Sequence, residues 1–323
     1  MTPAACDEAA SYGVIACADA NMLPAACCAL LSIRDRLAAP KARYLLLAVG
    51  AGETQMREIE AFASRHSIAI EVLRDPTPKA EEPAFGRWSR ATLARLYMDL
   101  IVPGNIDRLL YIDSDAIAVA PLDGLFRADL AGRALGAVDD YLMAFPDKMK
   151  RRRQRIGLGP ESRYFNAGVL LFDWRKSLEA GLIRKARETF EREPERYEAH
   201  DQDVLNIAFE NDWQPVDPRF NAQTGILPFV GKPAIVHFTG RKKPWQAVAP
   251  WTHRRMKAFY REALAGTAWA SFCKPSSFSD RMTSFAGHYS TQLTTPSKIA
   301  SVRAYFGGSP AMPAAAKLSV HNS

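Results

Sequence analysis

Asp113-Ser114-Asp115 is the first place in the chain where residue type and spacing suggest chemistry. Two carboxylates one residue apart, with a small residue between, can both reach one divalent cation at the end of a strand. Oxygen ligands suit Mg²⁺ or Mn²⁺, ions that join a carboxylate to a substrate diphosphate. The triplet alone also fits a solvated turn. Its setting argues otherwise: apolar RLLYI (108–112) precedes it and AIAVAPL (116–122) follows, and carboxylates set between apolar runs are costly without partners. His237, inside AIVHF (234–238), is either a satisfied core residue or a third ligand, better suited to Mn²⁺ than to Mg²⁺. Gly240 permits close backbone approach, and Arg241, Lys242 and Lys243 after it either meet a phosphate or coat a solvated loop.

Two further polar clusters stand beside apolar runs. Asn166-Ala167-Gly168 lies between Tyr164-Phe165 and VLLF (169–172), as a site or as a structural turn. His200-Asp201-Gln202-Asp203 precedes VLNIAF (204–209). Asp201 has the type of a helix N-cap, but one cap does not account for four consecutive polar residues.

The elements that must position these residues alternate. Strands are expected at Tyr12–Ala18, Arg43–Val49 and Ser67–Leu73, with helices at Pro24–Leu37 and Glu53–Arg65 between them. A helix over Ser89–Leu100 follows, then strands at Arg108–Ile112, Ala134–Val138, Val169–Phe172 and Ala234–Phe238, and a helix over Asp201–Glu210. Strand–helix–strand order points to an α/β fold with a largely parallel sheet. Asp19 and Asn21, Asp113 and Asp115, and Asp139 and Asp140 follow predicted strands, and His237 lies just before one ends. Ligands of open α/β sheets bind beyond the carboxyl ends of strands, so these groups should meet at one edge.

Composition sets the outer bounds. The chain has 323 residues, 48% hydrophobic and 24% charged, which describes a globular protein of one large or two small domains. Five cysteines form no CxxC pair, so neither a zinc site nor a disulfide framework follows and a reducing compartment is expected. The first basic residue is Arg34 and no window is long and apolar enough for a membrane span, so a cytoplasmic protein is expected. The net charge of +7 is uneven: Arg241–Arg303 holds eleven basic and two acidic residues, an excess of nine, leaving the rest at −2.

Taken together, the segments ACADAN (16–21), ATLARL (91–96), LLYIDSDAIAVAPLDGLF (109–126), LGAVDD (135–140), YFNAGVLLFD (164–173), HDQDVLN (200–206), FN (220–221) and HFTGRKKPW (237–245) resemble the family 8 retaining glycosyltransferases. The likeness is to the bacterial lipopolysaccharide galactosyl- and glucosyltransferases, with glycogenin more distant, and it covers about three quarters of the chain. It implies a Rossmann-like nucleotide-diphospho-sugar transferase fold of the GT-A type, with a mixed, mostly parallel sheet and helices on both faces. It also implies a UDP-galactose or UDP-glucose donor with Mn²⁺, or else Mg²⁺, on Asp113, Asp115 and His237. Asp19 and Asn21 would hold the uridine end. Arg95, Asp140, Asn166, Asp201 and Gln202 would hold the sugar, Gly240 and Lys243 the diphosphate, with Ser114 and Ala167 in the same donor site. Gln202 or Asp201 would stabilise the oxocarbenium-like transition state. Cys17 and Ala20 depart from the Ala and Asp often found in relatives, and Asn221–His237 is shorter than in the lipooligosaccharide galactosyltransferases.

The expected division is a catalytic domain over 1–252, a basic and aromatic helical appendage over 253–295, and a flexible tail over 296–323. The basic run Lys148–Arg155 is suited to guiding an anionic acceptor such as a lipid-linked saccharide. Basic residues interleaved with Phe259, Tyr260, Trp269, Phe272, Phe278 and Phe285 suit peripheral attachment to the cytoplasmic face of the inner membrane. Rival readings are a glycogenin-like or sugar-alcohol-directed glucosyltransferase and a non-catalytic nucleotide-sugar-binding protein. A nucleic-acid-binding protein leaves the DSD, NAG, HDQD and HFTG series unexplained, so no nucleic-acid partner is expected.

Overall fold

A computed structural model of the chain describes residues 11–38, 42–77 and 90–307. The N-terminal residues with Cys6, the end of the chain beyond Gly307, and Ser89, expected to open a helix, lie outside these. Ten strands are present among the described residues. In chain order these are β1 (Tyr12–Asp19), β2 (Arg43–Val49), β3 (Ile70–Leu73), β4 (Arg108–Ile112) and β5 (Ala116–Ala118). The others are β6 (Leu135–Asp139), β7 (Phe165–Asp173), β8 (Trp213–Pro215), β9 (Ala222–Gln223) and β10 (Ile235–His237).

The main sheet has seven strands in the order β3-β2-β1-β4-β7-β6-β8. Every neighbouring pair is parallel except those of β7, which runs against β4 and β6. That reversal brings the beginning of β7 to the edge where β4 and β6 end: Val169 pairs with Ile112, and Phe165 with Asp139. The strand expected at Val169–Phe172 therefore starts four residues earlier, and Asn166 and Gly168 are strand residues rather than a preceding turn.

The AIVHF run forms β10 in a second sheet, ordered β5-β10-β9. β5 is only three residues long and directly follows Asp115. Its antiparallel register sets His237 opposite Ala116. Two ladder steps thus deliver the imidazole to the carboxylates.

Both faces of the main sheet are covered, which is why its strands read as continuous apolar runs. Side chains alternate between faces. Val14, Ala16 and Ala18 pack with α1 (Leu23–Arg34) and α2 (Glu53–His66), and Ile15 and Cys17 pack on the other side. That second side holds α3 (Arg90–Ala94), α5 (Pro146–Ile156), α6 (Trp174–Glu179), α7 (Leu182–Arg192) and α8 (Asp201–Ala208); α4 (Asp123–Phe126) lies with the first. The helix expected to run on to Leu100 tightens at Arg95 into a 3₁₀ turn, Arg95–Leu100.

Three α-helices follow residue 253 among the described residues: α9 (Arg254–Leu264), α10 (Phe278–Thr294) and α11 (Pro296–Val302). The segment expected as an appendage buries Tyr260, Leu264, Trp269 and Cys273 in the core on the α1 side. The tail expected from Pro296 begins instead as helix α11, continued by a turn over Arg303–Gly307, because Val302 finds a buried seat. No helix among the described residues is long and apolar enough to cross a membrane.

Candidate active site

At the carboxyl edge of the main sheet lies a cavity of about 450 Å³, lined among others by Cys17, Asp19, Arg95, Asp113, Asp115, Asp201 and Gln202. Asp113 and Asp115 reach it from the turn between β4 and β5, and β10 brings His237 up beside them. The ligand atoms of the three lie within 4.8 Å of one another. His237 Nε2 is 3.5 Å from Asp113 Oδ2 and 3.3 Å from Asp115 Oδ1. Its other nitrogen, Nδ1, donates to Asn221 Oδ1 at 3.0 Å, which turns Nε2 toward the carboxylates. A partner on the far nitrogen is the arrangement found behind metal-bound histidines. Gly168 makes room for the ring: a Cβ there would fall 2.5 Å from His237 Nδ1 and 2.8 Å from Asp113 Oδ2. The donor set and this cradle fit a divalent cation.

Charge around the triad is compensated on both sides. Lys243 Nζ donates to Asp115 and to the Phe238 carbonyl, the latter at 2.6 Å. Burial alone would raise the Asp115 carboxyl, but His237 and Lys243 outweigh it and hold the group well below the usual carboxylate range. Asp113 Oδ1 accepts from Tyr111 Oη at 2.8 Å and from Arg95 Nη2 at 2.7 Å. Tyr111 lies in β4 and Asp113 one residue past its end, so the alternation of the strand turns the two side chains the same way. That spacing was the signal for a residue the sequence reading missed.

Arg95 is 6% exposed and joins the Asp113–Asp115–His237 triad to Asp201. It donates to the Ala167 carbonyl at 2.5 Å and stacks 4.3 Å from the centre of the Tyr111 ring. Its Nε lies 2.7 Å from Asp201 Oδ2, off the N–H axis, so the pair is ionic without a hydrogen bond. The two carboxylates keep the guanidinium charged despite its burial. Asp201 carries the opposite balance: burial pushes its carboxyl up to about 6, Arg95 only partly offsetting it. The N-cap role is not taken by Asp201: α8 is preceded by His200 at φ 47°, and Asp201 is the first helical residue with its carboxylate on Arg95. A positive φ at a histidine is a strained conformation that the surrounding structure must hold.

The amides form a second network. Gln202 Oε1 accepts from the Ala167 N–H at 3.0 Å and Asn166 Nδ2 at 3.2 Å, while its Nε2 donates to Asp140 Oδ2 at 3.2 Å. Asn166 Nδ2 also donates to Asp140 Oδ2 at 3.0 Å, and Asn166 Oδ1 accepts from Asn221 Nδ2 at 2.9 Å. Asn221 therefore touches both His237 and Asn166. Asp203 serves the framework instead: it takes Arg152 on both oxygens and Tyr164 Oη at 2.6 Å, fixing the first turn of α8.

A family model described as glycosyl transferase family 8 matches residues 13–249. The chain belongs to that family. As a glycosyltransferase of family 8 it is 27% identical over 241 residues to general stress protein A of Bacillus subtilis, covering 68% of this chain and 80% of that one. Its identity to the lipopolysaccharide 1,2-glucosyltransferase of Escherichia coli is 26%, over 66% of this chain and 65% of that enzyme. Among solved structures it superposes on the galactosyltransferase LgtC, bound to donor and acceptor sugar analogues, with a TM-score of 0.69 and 23% identity, over 80% of this chain and 99% of that one. The GT-A-type α/β fold is thereby shown.

The glycosyltransferase keeps the remaining expected site residues in different places. Asp19 lines the cavity and accepts the Asn21 and Met22 N–H groups, whereas Asn21 is exposed on the turn beyond. Ser114 donates to the Cys17 carbonyl at 3.0 Å and is buried. Cys17 lines the cavity, but burial pushes its thiol up to about 12, so it is inert at neutral pH. Gly240 sits at φ +92° in open space, a conformation other residues rarely adopt. Of the basic run on α5, Arg152, Arg153 and Arg155 hold Asp203, the Ser162 carbonyl and Glu198. Lys148, Lys150 and Arg151 are the exposed members of that run nearest the start of α5.

Proposed function

We propose that this glycosyltransferase is a retaining hexosyltransferase, moving galactose or glucose from a UDP-sugar to a saccharide acceptor of lipopolysaccharide or another cell-surface glycan. The observation that carries the reading is the meeting of the Asp113–Asp115–His237 triad and the Arg95–Asp201 pair at one cavity. A Mn²⁺ ion held by the triad would supply positive charge to the diphosphate as the sugar–phosphate bond breaks. Arg95 and Lys243 add fixed positive charge at the same edge, where charge develops as UDP departs. Asp201, ionised above about pH 6, supplies negative charge toward an oxocarbenium-like centre. Gln202 has both acceptor positions of its oxygen occupied, so its part is to hold Asn166, Ala167 and Asp140 in register. An amide already bonded in this way is a poor nucleophile, which favours attack by the acceptor on the face that UDP leaves.

UDP release from a panel of UDP-hexoses, with Mn²⁺ and no acceptor, tests the reading. One donor should be hydrolysed slowly, and EDTA should abolish the hydrolysis. Release from none of them, with Mn²⁺ present and UDP bound, would contradict a hexosyltransferase.

The acceptor is read as lipid-linked and the enzyme as peripheral on the cytoplasmic face of the membrane. Helix α10 supports this: Phe278, Met282 and Phe285 are 79%, 49% and 37% exposed, at the spacing of one helix face. Arg281 lies among them in a segment of strongly basic balance. Co-sedimentation with vesicles containing phosphatidylglycerol, reduced by Phe278→Ser and by salt, is expected; equal binding to neutral vesicles would count against the electrostatic part.

A further inference from the structure

Apart from the cores on the two sheet faces there is a third apolar cluster, built by the C-terminal arm. Val302, 2% exposed, is buried with Ala144 and Ile226, and Tyr141, Phe229 and Tyr305 pack around them. The Arg303 guanidinium lies 5.7 Å from the centre of the Phe229 ring. The described part of the arm includes a π-helical turn, Arg303–Gly307; such turns are rare and recur at functional sites. Within that turn Tyr305 Oη donates to Asp139 Oδ2 at 3.1 Å. Asp139 is 7% exposed and also holds Arg163 through Nε at 3.0 Å and through Nη2.

The turn that receives this contact leads directly into the site. Asp139 closes β6, where the pairing with β7 is irregular between Ala137 and Asp139. Its carbonyl accepts from Gln223 Nε2 at 2.9 Å, and Gln223 Oε1 accepts the Tyr141 N–H at 2.9 Å. Asp140, between these two anchored residues, carries the oxygen that takes Gln202 Nε2 and Asn166 Nδ2. One peptide unit separates the hydrogen bond of the arm from the carboxylate that decides which end of the Gln202 amide faces which neighbour.

We propose that Tyr305 is a positioning residue of the transfer reaction. Through Asp139 it holds the turn that carries Asp140, and so keeps the Gln202–Asn166 network in its working orientation. The C-terminal arm is then part of the catalytic apparatus rather than an appendage to it. This rests on the reading of the chain as a UDP-sugar transferase.

Hydrolysis of the preferred UDP-hexose by the full chain, with Mn²⁺ and no acceptor, tests the proposal. Tyr305→Phe should lower kcat about fivefold, the scale of one hydrogen bond, with donor KM within about twofold. Asp139→Ala, which leaves the Tyr305 hydroxyl no partner there, should lower kcat at least as much, and adding Tyr305→Phe to it should lower kcat no further, since both remove the same contact. Val302→Asp, which undocks the arm, should reproduce the loss in kcat while Mn²⁺-dependent UDP affinity stays as in the wild type. Unchanged kcat in Tyr305→Phe with only a lower thermal midpoint would overturn the proposal and make the arm a brace. Losses that multiply in the double variant would overturn it as well. A wild-type chain that binds UDP but hydrolyses no donor would instead sink the hexosyltransferase reading itself.

Discussion

The proposed metal corner and the proposed sugar corner of this site are assembled by opposite means. At the metal corner, Asp113, Asp115, His237, Lys243 and Arg95 arrive on strands and turns that fix their positions, and their charges offset one another. Coulombic attraction is forgiving of direction, so this corner suits a cation and a diphosphate. At the sugar corner, Asn166, Gln202, Asn221 and Gln223 surround Asp140 and the Asp139 carbonyl. An amide has one donor end and one acceptor end, so orientation decides everything there. Such a network suits a neutral hydroxylated ligand whose epimers differ in direction and not in charge. Asn221, bonded to both His237 and Asn166, is where the two corners meet.

The largest effect that would break this comparison belongs to Gly168. It carries no functional group, yet its missing side chain seats the imidazole beside Asp113. Gly168→Ala should weaken Mn²⁺-dependent UDP binding about a hundredfold, the upper range for disturbing the surroundings of a metal ligand. Circular dichroism should show the fold retained. Wild-type affinity in that variant would mean that the corner is loose and the triad not preassembled.

A smaller effect sharpens the contrast at Asp201. Its carboxyl titrates at about 6 in the fold against an ordinary 3.8, so the unfolded chain releases the proton first as pH rises. Stability therefore falls between about pH 4 and pH 6 and the penalty, about 3 kcal/mol, is fully present above pH 6. Urea unfolding should find Asp201→Asn more stable than wild type at pH 7.5, with the difference gone below pH 4, and donor hydrolysis greatly reduced. A variant less stable at pH 7.5 would show that the Arg95 pair outweighs the burial of the charge.

Much of the metal corner was legible because a long apolar run cannot end in two carboxylates without reason. RLLYI and AIAVAPL flank Asp113-Ser114-Asp115, and the same logic picked out His237 within AIVHF. The pairing that joins them was not legible, since β5 is three residues long and shows no periodicity of its own. The sugar corner was harder. Asn166 and Gly168 masked four residues of β7, because polar and small residues at a strand start read as a turn. Asn221 stands in the sequence only within the FN pair of the resemblance, with no role until the fold places it behind His237. Tyr305 was hidden by composition, for the Pro-, Ala- and Ser-rich chain around it reads as a tail, while three residues, Val302, Tyr305 and Phe306, do the docking.

The central claim is that the triad makes this cavity a cation-dependent site for a uridine diphosphate. Titration calorimetry of UDP against the full chain, with Mn²⁺ and then with EDTA, tests it most directly, with Asp115→Ala as the paired variant. The expected result is one UDP bound per chain in Mn²⁺, and binding lost both in EDTA and in a folded Asp115→Ala protein. UDP bound equally well in EDTA, or by the variant, would contradict it.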